Sequence, residues 1–259
     1  MLTGELTIFI TFLVGVFGLL FGSFVNAWVW RIETDRSIAK GRSMCPHCKH
    51  ELAWYDLVPV FSFLILAGKC RSCHKKISWR YPTVELITSL LFVGLYLHFM
   101  PASLIAWVQL IVLFAITVLM VGAASYDQKH SLLPEIFTIP AIVLSIVYML
   151  LVDWTNPSAI VAKLIATTLF ALFFLALWFF SGGNAMGDGD IRLAIIMGLV
   201  LTPWQLAVAI MAGFNIGAII ALGLLLTHKK KRTDHIAFGP FLIIGLYFGL
   251  LFADKIRFF

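Results

Sequence analysis

Residues 103–127 read SLIAWVQLIVLFAITVLMVGAASYD, an apolar run of membrane-spanning length that stops on a carboxylate. A helix needs about 20 apolar residues to cross the hydrocarbon core of a bilayer. Residues 103–124 supply them without one Lys, Arg, Asp or Glu. Working outward, the same criterion gives spans at 6–29, 82–99, 134–152, 159–180, 191–202, 204–227 and 236–252. The run at 191–202 is short and Pro203 separates it from the next, so eight spans are expected, with seven as the alternative. Composition agrees. The chain of 259 residues is 61% hydrophobic and 12% charged, with a mean hydropathy of +0.98. A soluble domain carries about a quarter charged residues. The expected fold is an all-α polytopic membrane protein of about eight transmembrane helices, and the lipid bilayer is its first partner.

The charges then set the topology. Basic residues close to spans mark the cytosolic side. Ten of the nineteen Lys and Arg lie between the first and second spans: Arg31, Arg36, Lys40, Arg42, Lys49, Lys69, Arg71, Lys75, Lys76 and Arg80. With eight spans, Lys129, Arg192 and the run Lys229, Lys230, Lys231 and Arg232 fall on the same side, against Lys163, Lys255 and Arg257 on the other. The net charge of +6 is therefore a topological signal, and no nucleic-acid partner is expected. No Lys or Arg precedes Arg31, so the first run lacks the basic start of a cleavable signal and is expected to remain as a span. Small-residue pairs at Gly18 and Gly22, Gly213 and Gly217, and Gly245 and Gly249 would let helices approach closely in lipid.

The loop between the first two spans contains Cys45-Pro-His-Cys48 and Cys70-Arg-Ser-Cys73. Two such knuckles can supply four thiolates to a tetrahedral Zn²⁺. Four thiolates leave no open position for water, so the metal would be structural. A reducing cytosol disfavours two disulfides. His47, His50 and His74 are available as substitute ligands, but four cysteines suffice. The apolar run 57–67 between the pairs is too short to span. It reads either as the core of the small domain or as a segment lying on the membrane surface.

Acidic residues number thirteen, and those beside spans need a reason, because a charge at the bilayer centre costs about 3 kcal/mol. The topology puts Asp127 at the cytosolic end of the third span and Asp188 and Asp190 at the cytosolic start of the sixth. Two adjacent carboxylates can share a proton, the ionised one activating water and the neutral one polarising a carbonyl. The ordinary reading is that Asp188 or Asp190 caps a helix and that Asp127 is a surface charge. Position alone does not choose between Asp188 and Asp190.

Taken together, the motifs resemble the type IV prepilin peptidases over nearly the whole chain. Gly22-Ser-Phe-Val-Asn26 with Arg31, the two cysteine pairs, Trp54-Tyr55-Asp56 with Pro59, Arg80-Tyr-Pro-Thr-Val-Glu85, Asp127 with Leu133-Pro134, Gly187-Asp-Gly-Asp190, and Phe238-Gly-Pro240 each match a family motif. Arg192 and Glu135 stand where many members have lysine and aspartate. The resemblance implies that Asp127 and Asp190 are the catalytic pair, and that Cys45, Cys48, Cys70 and Cys73 hold structural zinc. It implies cleavage of prepilin or pseudopilin leaders, which are basic, after a glycine on the cytosolic side. It also implies N-methylation of the new terminus with S-adenosylmethionine, for which Glu85, Gly22 and Asn26 are the candidate residues. The expected location is the bacterial inner membrane. The corresponding parts are a first transmembrane helix at 1–30, a cytosolic zinc-binding domain at 31–81 and a membrane-embedded peptidase domain at 82–259.

Helix direction suggests a division of labour within the pair. Asp127 would sit at the negative end of an inward-running helix and Asp190 at the positive end of an outward-running one. The rival readings are an intramembrane protease of ordinary transmembrane segments, a transporter with acids at the bilayer midplane, and an inactive assembly factor.

Overall fold

The computed structural model describes residues 4–38, 40–183, 186–227 and 237–256. Within them the chain is helical: α1 (Gly4–Glu33), α2 (Phe61–Ile65), α3 (Arg80–Phe99), α4 (Leu104–His130), α5 (Glu135–Asp153), α6 (Pro157–Ser181), α7 (Asp188–Val200), α8 (Pro203–Leu226) and α9 (Gly239–Ile256). A single 3₁₀ turn covers Trp54–Leu57. Seven of these helices are long and apolar enough to cross a membrane, namely α1, α3, α4, α5, α6, α8 and α9. The protein is a multi-pass membrane protein. The short run expected at 191–202 is α7, 13 residues long. At 1.5 Å per residue it extends about 20 Å, less than a hydrocarbon core of about 30 Å. Leu193, Ala194 and Ile196 to Val200 are all buried, so α7 is an interior helix. The basic run 229–232, the first residue of the span at 236–252 and Arg257 lie outside the described residues.

The helices divide into two compact units, Met1–Ala102 and Ser103–Phe259. In the first, α1 packs along α3. The packing depends on small residues, because a Cβ on Gly22 would lie 2.6 Å from the Glu85 Cα and one on Gly18 2.5 Å from the Ser89 Cα. Polar bonds add register. Ser89 Oγ donates to the Gly15 carbonyl at 2.8 Å and Asn26 Nδ2 to the Tyr81 carbonyl at 2.9 Å. Arg31 at the end of α1 donates to the carbonyls of Ile38 and Gly41, which turns the chain into the loop.

In the second unit α4 packs on α5 and α9, α7 on α5 and α6, and α8 on α9. The pair α8 and α9 again meets through glycine: a Cβ on Gly249 would lie 2.6 Å from the Gln205 carbonyl oxygen. Asp153 at the end of α5 pairs with Lys163 of α6 at 2.7 Å, and the Lys163 side chain is 3% exposed. The helix α4 continues six residues past the apolar run read from the sequence. It ends where Ser131 adopts a left-handed conformation (φ 52°) and donates its N–H to the Asp127 carbonyl.

Candidate active site and metal centre

The last turn of α4 and the first turn of α7 carry the two acids. Asp127 lies four residues before the C-cap of α4, and Asp190 is the third residue of α7. Both are buried, at 4% and 5% exposure. The two helix ends meet at Leu133, which touches both Gly189, beside Asp190, and Gly239, against the Asp127 carboxylate. Asp188, by contrast, projects outward, its side chain 70% exposed and paired with Arg192 Nη2 at 2.8 Å. Arg192 also reaches Glu135 Oε1 at 3.5 Å and Thr138 Oγ1 at 3.3 Å, so it links α7 to the start of α5. The Asp188 charge is thus taken up by a cation on the surface.

Two close approaches define the packing around the acids. A Cβ on Gly239 would lie 2.6 Å from Asp127 Oδ2 and 3.2 Å from a Leu133 methyl. A Cβ on Gly189 would lie 2.6 Å from the Leu133 Cβ. Leu133 therefore sits against both glycines, and the backbone of α9 begins directly on the Asp127 carboxylate. Asp127 Oδ2 is buried and has no hydrogen-bond partner among the described residues. The sequence quoted Leu133 and Gly239 only as parts of motifs. Their physical role, shaping the space beside the acids, requires contacts between helices far apart in the chain.

The four cysteines converge in the first unit. Their sulfurs all lie within 4.8 Å of one another, and Cys45 Sγ is 3.9 Å from Cys73 Sγ. Four thiolates at a Zn–S distance of about 2.3 Å stand about 3.8 Å apart, so the cluster could hold a metal such as zinc. All four are free thiols. The two knuckles repeat each other in backbone detail. Cys45 N–H donates to the His50 carbonyl and Lys49 N–H to the Cys45 carbonyl; Cys70 and Lys75, and His74 and Cys70, do the same. Lys49 and His74 occupy equivalent left-handed positions (φ 58° and 55°). Isolated bridges Met44–Glu51 and Lys69–Lys76 close the two turns. The Cys73 backbone N–H holds the Cys70 thiol down to about 7, while Cys48, despite the His50 backbone N–H, is pushed up to about 11 by burial and the neighbouring thiols, so the cluster gives up its first proton most readily at Cys70. A lowered thiol pKa favours the thiolate, which is the metal-binding form.

Gly22, Asn26 and Glu85 meet at the α1–α3 contact. Gly22 permits the close approach and Asn26 bonds to Tyr81, as described above. Glu85 Oε2 accepts the Val60 N–H at 2.8 Å. Val60 has a positive φ of 62°, unusual for a branched residue, so Glu85 helps to hold a strained loop residue in place.

A multi-pass membrane protein with a buried pair of acids and a four-cysteine loop is the class these features define. The chain belongs to the type IV leader peptidase family. Residues 16–99 match the Bacterial Peptidase A24 N-terminal domain and residues 111–222 match the Type IV leader peptidase family. The two matches fall one in each structural unit. The chain is 31% identical to a prepilin leader peptidase/N-methyltransferase of Bacillus subtilis (strain 168), over 93% of this chain and 94% of the relative. It is 29% identical to the Aeromonas hydrophila protein of the same name, over 94% and 91%. A Myxococcus xanthus (strain DK1622) relative, also so named, is 34% identical over 85% of this chain and 65% of its own length. No solved structure matches the chain.

Proposed function

We propose that this protein is a bifunctional enzyme of the bacterial inner membrane. It removes the basic leader of type IV prepilin or pseudopilin substrates after a glycine, on the cytosolic side. It then methylates the new N-terminus with S-adenosylmethionine. The observation that carries the peptidase reading is that two buried acids, Asp127 and Asp190, lie at one helix-end cluster built by Leu133, Gly189 and Gly239.

In this reading Asp190, at the positive end of α7, is the carboxylate that takes a proton from water. Asp127, at the negative end of α4, is the protonated partner that polarises the scissile carbonyl. The pair titrates as a unit, so the helix ends set a partial preference between the two acids. Asp188, held by Arg192 at the surface, takes no part.

The four cysteines hold a structural zinc with no open position for a reacting water. For methyl transfer, Glu85, Gly22 and Asn26 form the candidate donor site. Glu85 is the acid among them, and a carboxylate is the charge that a sulfonium cation pairs with. The buried position of Glu85 between α1 and the loop supports a role in that region.

Incubation of the purified protein with a prepilin, with and without S-adenosylmethionine, tests both activities by mass. The expected products are a pilin lacking its leader, and the same pilin heavier by one methyl group when the donor is present. An unaltered prepilin would contradict the proposal.

A further inference from the structure

The cysteine loop exposes an apolar face that the proposed chemistry does not use. We infer that residues 54–65, with Trp79, lie in the interfacial layer of the leaflet from which α3 enters the bilayer, and anchor the metal-binding loop to lipid. Trp54 and Ile65 are 78% exposed, Phe61 and Leu64 61%, and Trp79 71%. The run is therefore not the core of the small domain, one of its two sequence readings.

The depth of the segment is fixed by a hydrogen bond. Val60 N–H donates to Glu85 Oε2. Glu85 lies five residues into α3, about 7.5 Å along the helix from Arg80. The backbone at Val60 is thus pinned beside the second turn of a spanning helix. Phe61, Leu64 and Ile65 follow it directly, and the Phe63 ring packs on Trp79, the residue before α3, at 4.8 Å between centroids. A segment tied to that level of a span sits where the span passes the headgroups.

The chemistry fits the interface as well. Trp and Tyr concentrate at headgroup level because their rings are apolar and their edges polar. Trp54, Tyr55 and Trp79 supply that belt. The loop 31–80 carries ten Lys and Arg against four acids, a complement to anionic headgroups. Of those acids Asp56 lies within the segment itself, and its side chain is 6% exposed and paired with Arg71 at 2.9 Å, so it presents no charge to lipid. Backbone groups are also provided for. Ser62, Leu64 and Leu66 donate their N–H groups to the carbonyls of Val58, Val60 and Ser62, which limits the cost of leaving water.

The test uses the full chain reconstituted in vesicles of phosphatidylglycerol and phosphatidylcholine. The phosphatidylcholine carries bromine, a contact quencher, either in the upper acyl chain or at the chain end. Subtracting the emission of Trp54→Phe isolates Trp54. Most of the Trp54 emission is expected to be lost with upper-chain bromine and little with chain-end bromine. Leu64→Ser combined with Ile65→Ser is expected to raise the access of acrylamide to Trp54. Emission untouched by either bromolipid and open to acrylamide would overturn the inference. So would protection that develops only when a prepilin is added, because the face would then belong to a protein partner. Leader cleavage measured in the same vesicles reports on the peptidase proposal separately, since lipid contact by Trp54 does not depend on it.

Discussion

Gly239 and Asp127 are in such close contact that a side chain on the first would displace the carboxylate of the second: an ideal Cβ would lie 2.6 Å from Asp127 Oδ2. The clash is with the free end of a side chain and not with backbone. Gly239→Ala is therefore expected to fold, with Asp127 moved rather than α9 expelled. A displacement of about 1 Å at a reacting group can cost about 100-fold in rate. Gly239→Ala should lose leader cleavage on that scale while its thermal unfolding in detergent stays near that of the parent. Parallel cleavage and unfolding measurements check this, and full activity would mean that the contact does not position Asp127.

Gly189 meets a different obstacle. Its Cβ would lie 2.6 Å from the Leu133 Cβ, an atom that cannot swing aside. Overpacking of this kind costs about 1–3 kcal/mol. Gly189→Ala should be destabilised by that amount, and Leu133→Gly in the same chain, which removes the obstructing Cβ, should recover part of the loss. A double-mutant cycle on unfolding in detergent measures the coupling, and additive effects would contradict the contact.

The buried ion pair of Lys163 and Asp153 makes a sharper demand on stability. Lys163→Ala leaves a carboxylate without its cation between α5 and α6. Removing one partner of a buried pair costs about 3–5 kcal/mol. The loss should be larger for Lys163→Ala alone than when Asp153→Ala accompanies it, as read by unfolding of the two variants and the parent.

Metal should be bound through the four cysteines of the loop. Cys45→Ser or Cys70→Ser is expected to lower the zinc content of the purified protein well below one equivalent, and chelation should open the loop to a protease near residue 50. Zinc retained in full by either variant would contradict the four-thiolate site. Structural zinc sites contribute folding free energy directly, so the proteolytic change tests whether the knuckles depend on the metal.

Much of the architecture was legible because lipid imposes a strict length and polarity rule. The ends of the spans read from apolar runs fall within a few residues of α1, α3, α5, α6 and α8. The apolar run stops six residues before α4 does, since Ser125 to His130 are polar yet remain helical until Ser131. Asp127 is thereby a residue within a helix turn and not one in a loop. The small-residue pairs were legible as packing positions, and Gly22 packs on Glu85 as that spacing allows. What the sequence could not show is which distant residues share a space. Leu133 against Gly189 and Gly239, Arg192 reaching Glu135 and Thr138, and Glu85 holding Val60 all depend on contacts across long separations. The exposure of the segment around Phe61 was equally hidden, because the same apolar run suits a core or an interface.

The most direct test of the central claim compares three single substitutions, Asp127→Asn, Asp190→Asn and Asp188→Asn, in a quantitative leader-cleavage assay on folded protein. Removing a member of a catalytic unit typically costs about a thousandfold or more. Asp127→Asn and Asp190→Asn should each lose cleavage on that scale, while Asp188→Asn, whose carboxylate is exposed and paired with Arg192, should remain within a few-fold of the parent. Normal cleavage by either of the first two variants would contradict the account.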